Sequence, residues 1–284
     1  MTDTTLPLPH PIEYISRMRD YHPDHPPYRW SSEPATAELN AVSKPLAESS
    51  VAIVALSGVQ VAGDTPFDLS GDSRLGYISP STEKDEVTYR HFAFKLDRVA
   101  HDPATMLPLW AVSQLVRDGK VGSLAGPAIS AFGSQYSQRL VRAELIPNIM
   151  QALAPLQADI VLIVPACPLD HQTAAMLSRE VEDAGMIAIV PSVARDIVTH
   201  CGATRPVYIH APIGFMFGMP HDEYGQYHRT LAVLEAGLRI DTAGMVADLP
   251  RDYPMGLSGL PEEFVDAQLN DWERQEYTPG YTTG

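Results

Sequence analysis

Cys167, Asp170 and His171 place a thiol, a carboxylic acid and an imidazole within five consecutive positions. A thiolate is a nucleophile, and an acid and an imidazole beside it can carry the proton that the thiol must lose and regain. Cys167 ends the apolar run Asp159-Ile-Val-Leu-Ile-Val-Pro-Ala-Cys167 and precedes Pro168-Leu169-Asp170-His171-Gln172. The spacing predicts a strand over 159–166 and a helix over 171–184, stopped by Gly185. A strand, a tight turn and a helix form the unit in which α/β enzymes commonly hold their chemistry. The helix start favours thiolate through its partial positive charge, whereas a carboxylate three residues away opposes it. Pro168 biases Cys167 towards extended backbone, and Asp170 is then expected as the helix N-cap. The catalytic reading assigns Cys167, Asp170 and His171 and requires the sulfur to reach a cavity. The structural alternative makes Cys167 a small buried hydrophobe and Asp170 merely a cap.

Cys201, in Thr199-His200-Cys201-Gly202, is the candidate second thiol and is expected in a loop before a strand. Cys167, His171, His200 and Cys201 could in principle ligate zinc, but no Cys-x-x-Cys pairing supports such a site. No metal is therefore expected. There is no G-x-G-x-x-G after a strand and no G-x-x-x-x-G-K-[ST], so no nucleotide cofactor is expected either.

The elements that must position these residues follow from hydrophobic patterning. Residues 51–56, Val-Ala-Ile-Val-Ala-Leu, are apolar on both faces and read as a buried parallel strand. Residues 63–74 form a loop dense in glycine and carboxylates, and 86–94 read as a strand carrying His91. A helix is expected over 107–119, a strand of small residues over 123–132, and a helix over 137–156 bent near Pro147. Strands at 187–191 and 207–211 and a long helix over 222–240 complete the body. Strands alternating with helices argue for an α/β fold, with a parallel sheet in three layers. The sequence leaves open whether 51–135 and 136–240 form two similar lobes with the site between them. Residues 1–50 are proline-rich and read as an extended N-terminal arm anchored by Tyr28 and Trp30, with a short helix near 12–19. Residues 241–284 read as a C-terminal helix near 262–276 and a tail.

The bulk composition restricts the partners. The chain has 284 residues and a formal net charge of −15, which disfavours nucleic acid. No signal segment is read at the start, and no apolar stretch approaches the ~20 residues that span a bilayer. Two cysteines cannot make a disulfide framework. A cytoplasmic, homo-oligomeric protein acting on a small molecule is the expectation, with no membrane partner.

Several segments, in order and over nearly the whole chain, resemble the selenoprotein B component of glycine, sarcosine and betaine reductases and the related D-proline reductase subunit. They are Pro27-Tyr28-Arg29-Trp30, Lys44-Pro45-Leu46, residues 51–56 with Gly58, Gly63-Asp-Thr-Pro-Phe-Asp-Leu-Ser-Gly-Asp72, residues 115–125, Val164-Pro-Ala-Cys-Pro168 with His171-Gln172, and Pro212-Ile-Gly214 with Phe217-Gly-Met-Pro220. The resemblance implies reductive cleavage of a carbon–heteroatom bond in an amino-acid-like substrate. In that chemistry a cysteine or selenocysteine attacks, and a neighbouring thiol or a thiol-reducing partner protein resolves the product. Carried over by position, Cys167 is the attacking residue, and Asp68, Arg74, His91 and Gln172 lie near the substrate. The family's run commonly has a second cysteine just before His-Gln. Asp170 stands there in this chain, and a Cys-x-x-Asp pair cannot close to a disulfide. That departure keeps two alternatives open: a non-redox lyase, racemase or desulfurising enzyme in which Asp170 and His171 manage protons, and a non-catalytic partner-binding subunit.

Overall fold

The computed structural model describes residues 28–33, 38–92 and 102–250. The helices expected near 12–19 and 262–276 lie outside the described residues.

The chain builds β1 (Ser50–Ala55), β2 (Val59–Val61), β3 (Gly76–Ile78), β4 (Val87–Tyr89), α1 (Leu109–Arg117), β5 (Ser123–Leu124) and β6 (Ala128–Ser130). Next comes a continuous helix, α2, which runs Gln138–Leu140, passes through a π turn at Val141–Leu145 and continues Ile146–Leu153. Then follow β7 (Ile160–Val164), α3 (Pro168–Asp183), β8 (Ile187–Ser192), α4 (Arg195–His200), β9 (Pro206–Tyr208), α5 (Glu223–Leu238) and β10 (Ala247–Asp248). The bend expected near Pro147 takes the form of that π turn. Proline has no N–H to donate and its ring crowds the carbonyl four residues back, so the ladder widens just before it. The strand expected over 123–132 is two short pieces, interrupted at Gly126, which sits at φ 77°, and Pro127.

One sheet carries the order β10-β9-β8-β7-β1-β6-β3, with β5 also on β1. All neighbours are parallel except β3 against β6. β1 and β7, which fall on either side of the 135/136 boundary, pair over five residues from Val51↔Ile160 to Ala55↔Val164. The sheet thus runs across that boundary.

The period-2 alternation of a strand sorts its side chains between two cores. Val51, Ile53 and Ala55 join Leu162, Val164 and Ile189 under α1 and α5, through Leu109, Val112, Leu115, Val233 and Leu234. Ala52, Val54 and Leu56 join Val161, Ile163 and Val190 under α2, α3 and α4, through Leu145, Ile149, Leu177 and Ile197. The result is three layers, helix on sheet on helix. Burying each of these aliphatic side chains contributes roughly 1.5–3 kcal/mol before conformational entropy is counted. Among the described residues no helix is long and apolar enough to cross a membrane.

The strand order also places the site. β6 and β7 lie on opposite sides of β1, so the chain leaves the carboxyl end of β1 in one direction and returns on the other side. A crevice opens outside the carboxyl ends of strands at such a switch point. There the chain places Ser57-Gly58 after β1, Gly133-Ser134 after β6 and Cys167 after β7.

Candidate functional site

Cys167 is the N-cap of α3, at φ −107° and ψ 173°, and Pro168 is the first helical residue. The extended backbone before proline is as the sequence predicts, but the cap is Cys167 and not Asp170. Asp170 is the third residue of the helix and closes a capping box. Its Oδ2 accepts from the backbone N–H of Cys167 at 3.0 Å and of Ala166 at 3.1 Å. The sulfur in turn faces the Asp170 N–H at 3.5 Å. Proline at the first position suits this turn because the N–H it lacks would have no intrahelical partner.

Two further groups converge on the sulfur and the carboxylate. Ser134 Oγ lies 3.0 Å from Cys167 Sγ. His91 Nε2 lies 3.2 Å from Asp170 Oδ2. His91 is delivered by an antiparallel ribbon, β2 with β4, that hangs from the carboxyl end of β1. Gly58 makes the entry to that ribbon: its φ is +65°, its carbonyl accepts from Arg90 N–H at 3.0 Å, and a Cβ there would sit 2.3 Å from the Arg90 carbonyl oxygen. Gly133 provides the other close approach. A Cβ at that position would lie 2.7 Å from Leu56 Cβ and 3.0 Å from Asp170 Oδ1, while its carbonyl accepts from Thr173 Oγ1 at 2.8 Å. Asp170 Oδ1 itself is buried with no hydrogen-bond partner among the described residues.

The sulfur does not open to a cavity, as the catalytic reading required. Cys167 is 0% exposed and packs in the same core as Leu169, Val54 and Trp30. Burial first, and the Asp170 carboxylate second, push its thiol well above the ordinary range. Desolvation outweighs the helix start, so the resting sulfur is a neutral thiol. Its neighbourhood is nevertheless polar, because Ser134, Asp170 and His91 all reach it or its partner.

His171 follows the same helix turn but is committed to the backbone. Its Nδ1 contacts the Cys167 carbonyl oxygen at 2.7 Å, and its Nε2 accepts from Val193 N–H at 3.3 Å. That pattern assigns the proton to Nδ1. Burial pulls its pKa down to about 4, so the ring is neutral and ties the turn after β7 to the end of β8. Gln172 binds the N-terminal arm: its Oε1 accepts from Ser31 N–H at 2.8 Å and its Nε2 donates to Tyr28 Oη at 2.5 Å. Trp30 is buried in the same core layer as Cys167, and Tyr28 meets Trp30 and Tyr136 edge-on at 5.3 and 5.7 Å. The arm therefore packs over the start of α3.

Asp68 and Arg74 are engaged within their own loop. Arg74 grips the Asp72 carboxylate, with Nη2 at 2.5 Å and Nε at 3.0 Å, and donates to the Pro66 carbonyl. Asp68 accepts from Ser70. Gln135 Nε2 donates to the Asp72 carbonyl, which links this loop to the strand end that carries Ser134. Cys201 is the C-cap of α4 and stands in the turn that leads into β9, as the expected loop before a strand places it. Burial raises its thiol to about 12, and Arg179 donates to its carbonyl.

Ser134 and Gly133 were not singled out from the sequence. Their signal was available: small and polar residues ending a strand next to β1 stand at the carboxyl edge where sites form. Only the sheet order shows that this strand end abuts Cys167.

A search of curated proteins relates the chain to D-proline reductase subunit gamma of Acetoanaerobium sticklandii, at 26% identity over 233 residues, covering 82% of this chain and 93% of that protein. The resemblance to the reductase family is thus shown as a distant one. No family model matches the chain, and no solved structure matches it.

Proposed function

We propose that this chain is the cysteine-bearing component of a reductase-type enzyme acting on a small, amino-acid-like substrate, with Cys167 as its reactive residue. The observation that supports this most is the convergence of Ser134 and Asp170 on the sulfur, with His91 on Asp170, at the switch point of the sheet. The similarity to a D-proline reductase subunit points the same way. Reductive cleavage of a carbon–heteroatom bond consumes two electrons and two protons. With Asp170 in place of a second thiol, the electrons come from outside, and a dithiol partner protein that ends as its disulfide balances the reaction. Asp170 and His91 hold the proton that the sulfur exchanges, Ser134 orients the thiol, and His171 fixes the turn. Turnover requires the sulfur to be uncovered.

The test is turnover of amino-acid-like substrates, D-proline among them, by the full chain with a dithiol donor. Cys167→Ala is expected to abolish activity while the chain still folds, with melting lowered by only a few degrees for the lost cap. Retained turnover in that folded variant overturns the assignment. The Asp170 carboxylate beside Cys167 also favours a second reading, non-redox proton chemistry in a lyase or racemase. Turnover without any dithiol identifies that reading.

A further inference from the structure

We propose that His91, Cys167 and Asp170 form a zinc(II) site with an open fourth position. These three side chains come from different parts of the fold: the end of the β2–β4 ribbon, the turn after β7 and the first turn of α3. One ring nitrogen of His91, Cys167 Sγ and one carboxylate oxygen of Asp170 all lie within 4.8 Å of one another, and all three residues are buried. Tetrahedral zinc holds sulfur, nitrogen and oxygen ligands at about 2.0–2.3 Å, which places them roughly 3.3–3.6 Å apart. Contraction by at most about 1.5 Å therefore closes the set around an ion.

An independent observation points to a ligand. Asp170 Oδ1 is buried and has no hydrogen-bond partner among the described residues, while its twin Oδ2 accepts from Ala166, Cys167 and His91. A buried carboxylate oxygen left without a donor is costly, and in native proteins such an atom marks a missing water or ion.

The donor chemistry selects the ion. A thiolate, an imidazole and one carboxylate oxygen suit a borderline cation such as zinc, whereas magnesium and calcium take all-oxygen sets. Charge agrees: thiolate and carboxylate together carry two negative charges, which a divalent ion cancels, and a neutral set is what a dry site accepts. The binding step balances without an oxidant. The Cys167 S–H bond breaks and a sulfur–zinc bond forms, releasing one proton. His91 ligates as the neutral imidazole, through a ring nitrogen that carries no proton. Metal coordination deprotonates a thiol outright. The ion would thus supply a buried thiolate in place of the proton exchange with Asp170 and His91; this consequence rests on the proposed function, and ion binding itself does not.

The experiment is elemental analysis of the purified full chain, then chelation and reloading with cobalt(II), followed by the sulfur-to-cobalt charge-transfer absorption. One ion per chain and a charge-transfer band are expected. Cys167→Ser should lose the band, Cys201→Ser should keep it, and His91→Ala and Asp170→Asn should weaken cobalt binding about tenfold or more. A folded, reduced chain that holds no stoichiometric metal and gives no band with cobalt overturns the proposal. So does a band that survives Cys167→Ser. None of these readouts uses turnover, so failure here and failure of the Cys167 assignment are separable. If Asp170→Asn does not fold, the two cysteine variants decide.

Discussion

Removing the Asp170 carboxylate should destabilise the fold locally at the reactive turn. In the chelator-treated protein, Asp170→Ala strips the acceptor from two buried backbone N–H groups, those of Ala166 and Cys167, and from His91 Nε2. Each buried donor left without an acceptor costs ~1–3 kcal/mol. Against this, the variant no longer buries a charge with one unpartnered oxygen, a relief of ~1–3 kcal/mol on the same scale. The net loss is about 2–6 kcal/mol, a melting shift on the order of 10 °C for a domain of this size. Asp170→Asn keeps a carbonyl oxygen where Oδ2 accepts and places its amide where Oδ1 stands, so its cost should be about 1 kcal/mol or less. The assay is urea unfolding followed by far-ultraviolet circular dichroism, with both variants at one pH. If the alanine variant is within about 0.5 kcal/mol of the parent, or if asparagine costs as much as alanine, Asp170 does not hold the turn and the capping argument is wrong.

Two other outcomes follow from buried groups away from the reactive sulfur. Arg205 Nε and Glu182 Oε1 form a buried pair at 2.8 Å, and Arg205 also donates to the carbonyls of Ile240 and Asn40. Arg205→Ala should lower the unfolding free energy by about 3–5 kcal/mol, since it strands the Glu182 charge, and Glu182→Leu with Arg205→Met should recover much of it. A single-variant loss under about 1 kcal/mol in urea unfolding would exclude this role. The Cys201 thiol, raised from 9.0 to about 12, keeps its proton in the folded state after the unfolded chain has lost it. Its contribution is present in full below pH 9 and is lost as pH climbs towards 12. Cys201→Ala should therefore lose about 2 kcal/mol less than the parent between pH 9 and 10.5. Parallel pH–stability curves would show that the thiol is not buried as described.

What could be read from the chain alone was whatever is local. The apolar runs at 51–56 and 159–166 identify the central strands β1 and β7, because a strand covered on both faces must be hydrophobic at every position. Pro168 marks the start of α3, and Pro147 marks the distortion in α2, because proline's missing N–H acts on its own helix. Cys167 at the end of β7 was visible for the same reason. The helix α4 was missed, because six residues with no side-chain cap give too little periodicity. Asp170 was taken as the cap because the sequence shows its spacing but not which side chain the first free N–H groups face.

The tertiary structure alone decided everything that depends on strand order. Only the placement of β6 and β7 on either side of β1 brings Ser134, 33 positions away, to Cys167. Only the ribbon after Gly58 carries His91, 79 positions away, to Asp170. Burial was decided there too: the sequence opposed a helix start to a carboxylate at Cys167, while the folded core settles the thiol as neutral by desolvation. Local pattern is written in neighbouring residues, but the dielectric around a group and its distant partners exist only once the layers have packed.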